Sequence, residues 1–144
     1  MVDEIEVKLL REGARLPQKA SEHASGYDLY ACLPDGPVEV GNFPVRIPTG
    51  LAFAVPPGLD AQVRGRSGLA SRGVTKPTGT LDADYRGEVF VTLYTTSPDL
   101  TYVVEHGDRV AQLIITRLAD VEFSLRDELP ETERGAGGHG STGR

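Results

Sequence analysis

Proline and glycine limit this chain to short structural elements. Ten prolines and 17 glycines are spread over 144 residues, so few stretches run far without one of them. Proline lacks the amide proton that a helix interior needs, and glycine loses more backbone entropy on ordering than other residues. The spacing therefore predicts an all-β domain, a sandwich, jelly roll or barrel of short strands separated by turns.

Seven segments carry the polar–apolar alternation, or the β-branched and aromatic enrichment, that is typical of strands. They cover residues 4–9, 24–31, 45–47, 51–55, 90–96, 101–104 and 108–116. One short helix is predicted after Arg66, with Ser67 as its N-cap and Gly73 as its stop.

Residues 79–89 concentrate polar side chains that could perform chemistry. Asp82, Asp84 and Tyr85 lie between two glycines, which allow positive φ or the close approach of another backbone or a ligand. The simplest geometry is a tight hairpin with these three side chains at its tip. The alternative is a polar turn in which the aspartates bond their own backbone.

Two further positions suit an anionic ligand. Arg66 and Ser67 precede the short helix, where exposed amides and a guanidinium fork favour phosphate oxygens; the alternative for Ser67 is a simple cap. Gln112 shares a strand face with Val110 and Ile114, so its amide must be hydrogen-bonded. Its partner is the backbone, a neighbouring side chain or a ligand oxygen.

The composition excludes several classes of protein. A net charge of −6 argues against a surface that coats nucleic acid, which needs clustered lysine and arginine. No apolar run approaches the roughly 18 residues of a membrane span, and the N-terminus has no signal-peptide pattern. The single cysteine, Cys32, fits a reducing compartment, and His23 and His106 lack metal-ligand spacing. These features predict a cytoplasmic protein that binds neither nucleic acid nor membrane and has no structural zinc.

The C-terminal segment differs in composition from the rest. Residues 135–144 are rich in glycine, whose ordering costs the most backbone entropy. A disordered end is the simple interpretation; the alternative is a lid that orders on a ligand and brings amides and hydroxyls to phosphate oxygens. We therefore divide the chain into a β domain, residues 1–130, and a flexible tail, residues 131–144.

Five segments resemble, in their order along the chain, the five motifs of the homotrimeric dUTP pyrophosphatase (dUTPase) family. They are residues 24–31, 65–70, 79–89, 107–114 and 134–143. The resemblance covers essentially the whole chain. It implies a β jelly roll or distorted barrel that forms a trimer with three active sites shared between subunits. It also implies Mg²⁺-dependent hydrolysis of dUTP to dUMP and pyrophosphate, which limits uracil in DNA and supplies dUMP for thymidylate synthesis.

The resemblance gives each motif a task. Asp82 matches the aspartate that activates the attacking water, a choice over Asp84 that the residues alone do not make. Arg134 matches an arginine of the tail that acts on the phosphates like an arginine finger. Asp28 matches a residue near the water shell of the metal. The phosphate chain is assigned to Arg66, Ser67, Gly68 and Gln112.

Specificity is assigned to residues 79–89 and to the tail. Tyr85, packed beneath the sugar, leaves no room for a 2′-hydroxyl, and the neighbouring backbone reads the edge of uracil. Cytosine presents a donor where uracil presents an acceptor, so a backbone reader can separate them. The expected backbone readers are Gly79, Thr80 and Leu81. The expected closing residues of the tail are His139, Gly140 and Ser141.

Two positions depart from the family pattern, and two other functions are alternatives. His139 stands where most members have a phenylalanine that stacks on the base, and Lys76 stands where many have an asparagine near the uracil pocket. A dCTP deaminase shares this fold and would release ammonia from dCTP. A catalytically silent nucleotide-binding trimer would bind dUTP without releasing pyrophosphate.

Overall fold

The computed structural model describes residues 2–140 and 143. Eleven strands and one short helix lie in this part of the chain. In chain order they are β1 (Glu6–Leu9), β2 (Tyr27–Tyr30), β3 (Val38–Val40), β4 (Val45–Pro48), β5 (Leu51–Ala54), β6 (Leu59–Arg64), α1 (Ser67–Ala70), β7 (Val74–Thr75), β8 (Gly79–Leu81), β9 (Phe90–Thr95), β10 (Tyr102–Val104) and β11 (Arg109–Arg117). No helix in these residues is long and apolar enough to cross a membrane.

The strands form four antiparallel sheets. The largest has the order β2-β11-β6-β8, and a second has the order β4-β9-β7. Two smaller sheets consist of the pairs β1-β5 and β10-β3. The prediction of an all-β, jelly-roll-like fold with one short helix is confirmed. Within the described residues, however, the sheets do not close into a barrel.

Alternating burial along β6 and β9 builds much of the core. Leu59, Ala61 and Val63 of β6 are buried, as are Val91 and Leu93 of β9. Burial of a leucine or valine side chain contributes about 1.5–3 kcal/mol to folding. Because β6 ends just before α1 and β9 begins just after residues 79–89, the core fixes the position of both functional segments.

Helix α1 lies where it was predicted but begins differently. Arg66 is the N-cap residue, with extended backbone angles (φ −98°, ψ 137°), and no side chain caps the helix. The prediction of Ser67 as the N-cap is wrong, because the extended backbone after β6 continues through Arg66 and makes Ser67 the first helical residue. The helix ends at Ala70 with Ser71 as its C-cap, and the turn that follows ends at Gly73 (φ 80°), whose N–H donates to the carbonyl of Ala70 at 3.0 Å. The hydroxyl of Ser67 is thus not used in capping.

Residues 79–89, which we call the 79–89 loop, do not form the predicted hairpin. Strand β8 pairs with β6, with Gly79 opposite Val63, whereas β9 pairs with β4 and β7. The two arms therefore belong to different sheets, because each finds its hydrogen-bond partners in distant strands. A turn at the junction brings the Tyr85 N–H to the Asp82 carbonyl at 3.1 Å. The aspartates and the tyrosine still lie together at this junction.

The chain after β11 forms no helix or strand in the residues that the structure describes. We call residues 118–130 the C-terminal arm. Five large apolar side chains of the arm are exposed: Leu118, Val121, Phe123, Leu125 and Leu129. Phe123 is 97% and Leu125 is 95% exposed. A cluster of large exposed apolar side chains is unusual in a monomeric protein. The division of the chain at residue 131 stays a prediction.

Candidate functional site

A cleft of about 330 Å³ lies beside the 79–89 loop. It is lined by five residues that the sequence predicted for substrate and catalysis: Gly79, Thr80, Leu81, Asp82 and Tyr85. Strand β8 supplies the first three, and the turn after β8 supplies the others. The structure thus brings together one complete group of predicted site residues.

Tyr85 is fixed against the backbone of its own loop. Its hydroxyl donates to the carbonyl of Glu88 at 2.8 Å. The ring packs over Gly87, where an added Cβ would lie 2.5 Å from the hydroxyl oxygen and 2.7 Å from Cζ. Neither Gly79 nor Gly87 has a positive φ. Gly87 is therefore required for close approach, and Tyr85 remains 44% exposed.

The two aspartates of the loop differ in their surroundings. Both are exposed, and among the described residues neither carboxylate has a hydrogen-bond partner. Asp82 lines the cleft, whereas Asp84 does not. Arg86 closes the turn by donating to the carbonyls of Ala83 (2.6 Å) and Tyr85 (3.1 Å). The carboxylate of Asp82 is thus the one available to a ligand in the cleft.

A second group, which we call the arginine cluster, consists of Asp28, Arg66 and Arg109. Asp28 is 8% exposed, and its carboxylate lies 3.7 Å from Nε of Arg66 and 3.7 Å from Nη1 of Arg109. Arg66 also donates to the carbonyl of Arg109 at 3.2 Å. Both arginines remain partly exposed, so the cluster presents two guanidinium groups held by one buried carboxylate, an arrangement suited to phosphate oxygens.

Gln112 lies beside this cluster. It is opposite Asp28 in the β2–β11 pairing, and its side-chain N–H donates to the carbonyl of Gly65 at 3.0 Å. Its side-chain oxygen packs against Gly26, where any added Cβ would clash with it. The expectation that this amide is hydrogen-bonded is confirmed, with backbone as the partner. The bond also ties β11 to the segment that carries Arg66.

The cleft and the arginine cluster draw on different strands of the four-stranded sheet. Asp28 is on the edge strand β2, and Gly79 is on the other edge strand β8. Adjacent strands are about 4.8 Å apart, so three spacings place these edges about 14 Å from each other. Within one chain Asp28 is therefore separated from Gly79 by the width of the sheet, whereas Arg66 follows β6, the strand next to β8.

Lys76 lines the cleft at its Gly79 end. Its ammonium group donates to the carbonyl of Val63 at 2.9 Å and to the carbonyl of Pro77. Burial lowers the pKa of Lys76 from its usual value. The lysine thus joins the connection before β8 to β6 and contributes a positive charge to the cleft wall.

The tail makes contacts within itself. Arg134 is exposed and its Nε donates to the carbonyl of Gly137 at 2.6 Å. His139 has a positive φ of 51°, and Gly140 follows with a φ of 87°. Among the described residues, no hydrogen bond or ion pair joins the tail to the cleft or to the arginine cluster. Ser141, also predicted to contact substrate, lies outside the described residues.

Sequence reasoning missed three residues at these sites. Arg109 lies within a segment that was singled out, yet only the pairing of β11 with β2 brings it to Asp28. Arg11 and Glu88 form an ion pair across 77 residues, a separation with no local signal. The only indication of a role for Glu88 in the sequence was its place within residues 79–89, directly after Gly87.

The donor groups do not form a preassembled metal cage. Among the described residues there is no group of three or more His, Cys, Asp or Glu side chains that could hold a metal ion. Asp28 is the single carboxylate of the arginine cluster, and both guanidinium groups lie beyond hydrogen-bond distance from it. One carboxylate flanked by two guanidinium groups fits an ion such as Mg²⁺ only through the waters that the ion keeps, with substrate phosphates as its main ligands.

The sequence is similar to known dUTPases along nearly its whole length. The dUTPase family model matches residues 12–143. A deoxyuridine 5′-triphosphate nucleotidohydrolase of Syntrophotalea carbinolica is 48% identical over 143 residues, which cover 96% of each chain.

Solved structures agree with this match. The dUTPase of Staphylococcus bacteriophage 80alpha with dUPNHPP is 26% identical, covers 99% of this chain and 100% of its own, and has a TM-score of 0.84. A mutant dUTPase of S. aureus phage phi11, described with a structural Mg(II) ion, is 25% identical, covers 88% of this chain and 98% of its own, and has a TM-score of 0.76. The chain therefore belongs to the dUTPase family and is an enzyme that hydrolyses dUTP.

Proposed function

We propose that dUTP is cleaved to dUMP and pyrophosphate by a water that Asp82 activates for attack on the α-phosphorus. The observation that carries this proposal is the difference between the two aspartates of the 79–89 loop. Asp82 alone lines the cleft, and its carboxylate has no other partner among the described residues. A carboxylate held on a fixed turn within reach of a water acts as a general base.

The nucleoside is bound in the cleft. The backbone of Gly79, Thr80 and Leu81 reads the edge of the uracil ring, and the sugar packs on Tyr85. Because the phenol is locked to Glu88 and lies against Gly87, its ring cannot move aside for a 2′-hydroxyl. Deoxyribose is accepted and ribose is rejected on steric grounds.

The phosphates are bound by the arginine cluster and α1. Arg66 and Gln112 are fixed by bonds to the backbone, the Ser67 hydroxyl is not used in capping, and an added Cβ at Gly68 meets nothing within 4 Å. Bound Mg²⁺ would neutralise charge on the triphosphate. Asp28 would accept hydrogen bonds from the water shell of that ion. Arg134 would add positive charge when the tail closes, with His139, Gly140 and Ser141 covering the base.

We further propose that the active enzyme is a homotrimer whose sites are shared between subunits. Asp28 on β2 and Gly79 on β8 lie on opposite edge strands of one sheet, about 14 Å apart by strand spacing. A second copy can supply the missing half of each site. The exposed apolar side chains of the C-terminal arm give such an assembly a large hydrophobic surface to bury. The expected mass is three times the 15.5 kDa of one chain.

Mixing two inactive variants tests the shared site. Asp82→Asn removes the base and Arg66→Ala removes a phosphate ligand, so each variant alone is expected to have little activity. If Asp82 and Arg66 of one site come from different subunits, co-refolding of equal amounts restores roughly a quarter of wild-type activity by random assembly. The readout is pyrophosphate release from dUTP. A mixture as inactive as its components would contradict the sharing of Asp82 and Arg66 between subunits. The control for subunit exchange is a mixture of wild type with a chain that carries both substitutions.

Gly87→Ala tests how Tyr85 is held. A methyl group at Gly87 would overlap the ring of Tyr85, so the ring must move. We expect kcat/KM for dUTP to fall about 10- to 100-fold, as for other misplacements near 1 Å, and rejection of UTP to weaken. Gly41→Ala is the control, because a Cβ there meets nothing within 4 Å. An unchanged ratio of dUTP to UTP turnover in Gly87→Ala would contradict the role of Tyr85.

We propose that the enzyme works in the cytoplasm, where it limits the dUTP available to DNA synthesis and supplies dUMP for thymidylate. The single cysteine of the chain, Cys32, is buried with its thiol free, which suits a reducing compartment. The chain has a net charge of −6. Because nucleic-acid binding needs clustered lysine and arginine to neutralise phosphates, this charge favours a small-molecule substrate over a nucleic acid.

A further inference from the structure

Glu88 joins three distant parts of the chain at the edge of the cleft. One carboxylate oxygen accepts from Nη1 of Arg11 at 2.9 Å, and the other accepts from Nη2 of the same arginine. The N–H of Gly50 also donates to this carboxylate, at 3.1 Å. Arg11 follows β1 and Gly50 precedes β5. The side chain of Glu88 therefore anchors the end of the 79–89 loop to the scaffold.

This ion pair is more strongly held than a typical surface pair. The Glu88 side chain is 11% exposed and that of Arg11 is 35% exposed. The pKa of Glu88 lies below its usual range, chiefly because Arg11 donates hydrogen bonds to it, with burial opposing the shift. Bidentate guanidinium–carboxylate contacts combine charge with fixed geometry. Loss of either partner would leave the other charged and partly buried.

The backbone of Glu88 connects this anchor to the site. Its carbonyl is the acceptor for the Tyr85 hydroxyl. The next residue is fixed on both sides, since the N–H of Val89 donates to Leu51 at 2.8 Å and the hydroxyl of Thr49 donates to the Val89 carbonyl at 2.6 Å. The peptide that holds the phenol is therefore positioned from two sides, by the bond of the Val89 N–H to Leu51 and by the bonds of the Glu88 side chain to Arg11 and Gly50.

We propose that the Arg11–Glu88 pair positions Tyr85, and thereby sets how strongly this enzyme distinguishes deoxyribose from ribose in its substrate. Both are positioning residues that act through Tyr85. The inference rests on the proposed role of Tyr85 beneath the sugar. The competing interpretation is an ion pair that stabilises the fold and has no influence on substrate choice.

The main test is Glu88→Gln, which keeps the shape of the side chain but removes its charge. We expect the ratio of kcat/KM for dUTP to that for UTP to fall about 10-fold, with KM for dUTP changing more than kcat. In a Tyr85→Phe background, which lacks the hydroxyl bonded to Glu88, the same substitution should have little further effect on this ratio. Such non-additivity is the signature of residues that act through one another.

The matched control is the Arg117–Asp3 pair, which is also bidentate (2.6 and 3.3 Å) but belongs to no part of the cleft. Arg117→Gln is expected to leave the dUTP to UTP ratio unchanged. If Glu88→Gln does not fold, Arg11→Met is the second variant, since the Gly50 N–H still binds the carboxylate, and Arg11→Lys should recover part of the lost discrimination.

The pH profile gives an independent readout. The groups that face the Glu88 carboxylate are Arg11, Arg46 and the N–H of Gly50, with Cys32 next to Arg11. In wild type the pKa of Glu88 is lowered, so the anchor is present above that pKa and lost as pH falls through it. In Arg11→Met the Glu88 carboxylate lacks the partner that chiefly lowers its pKa, while burial still raises that pKa. The remaining bond from the Gly50 N–H to the carboxylate should therefore be lost at a higher pH than the anchor of the wild type.

The outcomes separate the two proposals. If wild type does not prefer dUTP over UTP, the proposed function of Tyr85 fails first. If wild type prefers dUTP and both Glu88→Gln and Arg11→Met keep the wild-type ratio while their melting temperatures fall, the pair is only structural and this inference is overturned. A fall in the ratio that disappears in the Tyr85→Phe background supports it.

Discussion

Asp82→Asn is expected to lower kcat for dUTP about 10²- to 10⁴-fold, the usual contribution of a general base. The amide has nearly the same shape as the carboxylate but cannot accept a proton from water. Because the Asp82 carboxylate makes no hydrogen bond within the described residues, the melting temperature should hardly change. Binding of dUpNHpp, measured by calorimetry, should stay within a few-fold of wild type.

The control for this prediction is Asp84→Asn. Asp84 has the same side chain two residues further on, is also exposed, and does not line the cleft. Its kcat should stay within a few-fold of wild type. Equal loss of rate and affinity in Asp82→Asn would show that Asp82 binds the nucleotide rather than activating water. If Asp84→Asn is inactive and Asp82→Asn is active, Asp84 is the general base.

Deletion of residues 134–144 is expected to lower kcat about 10³-fold or more, in line with the effect of arginine fingers on phosphoryl transfer. Arg134 is exposed and bonds only within the tail in the described residues, so the melting temperature should change little. The measurements are pyrophosphate release and thermal unfolding on the same preparations.

Single substitutions separate charge from tail closure. Arg134→Ala should account for most of the lost rate, while Arg126→Ala should have no effect, because Arg126 is an exposed arginine of the C-terminal arm that donates only to the neighbouring Leu125 carbonyl. A large fall in melting temperature after the deletion would instead make the tail a structural element.

Local sequence patterns predicted the strands best where alternation or β-branched residues dominate. The segments around β4, β5, β9 and β11 were identified, and the short helix α1 was placed correctly, with Gly73 (φ 80°) ending the turn after it. Strand β6 was missed, although Leu59, Ala61 and Val63 alternate with polar residues there and glycines flank the strand. The alternation that is typical of a strand was therefore present in the sequence of β6.

Strand pairing could not be predicted, because it depends on residues far apart in the chain. The 79–89 loop was expected to be a hairpin, since its two arms are close in sequence. In the structure β8 pairs with β6 and β9 pairs with β4 and β7. For the same reason, the contacts of Asp28 with Arg109 and of Arg11 with Glu88 needed the fold before they could be seen.

The roles of individual residues were predicted by two different routes. Chemistry of the residues pointed to the 79–89 loop, to Arg66 and to Gln112, but left Asp82 and Asp84 equivalent. The family resemblance chose Asp82, and the cleft lining adds a physical reason for that choice. The tasks of Asp28, Arg134 and His139 stay predictions, because they depend on a bound nucleotide and metal.

The most direct test of the account is pyrophosphate release from dUTP, UTP, dTTP and dCTP in parallel, each with Mg²⁺ and with a chelator, and with ammonia release from dCTP followed alongside. We expect turnover of dUTP alone, which is lost on chelation and restored by added Mg²⁺. Comparable turnover of UTP or dCTP would contradict the specificity that we assign to Tyr85 and the backbone of the 79–89 loop. Undiminished dUTP turnover in chelator would contradict the proposed role of the metal.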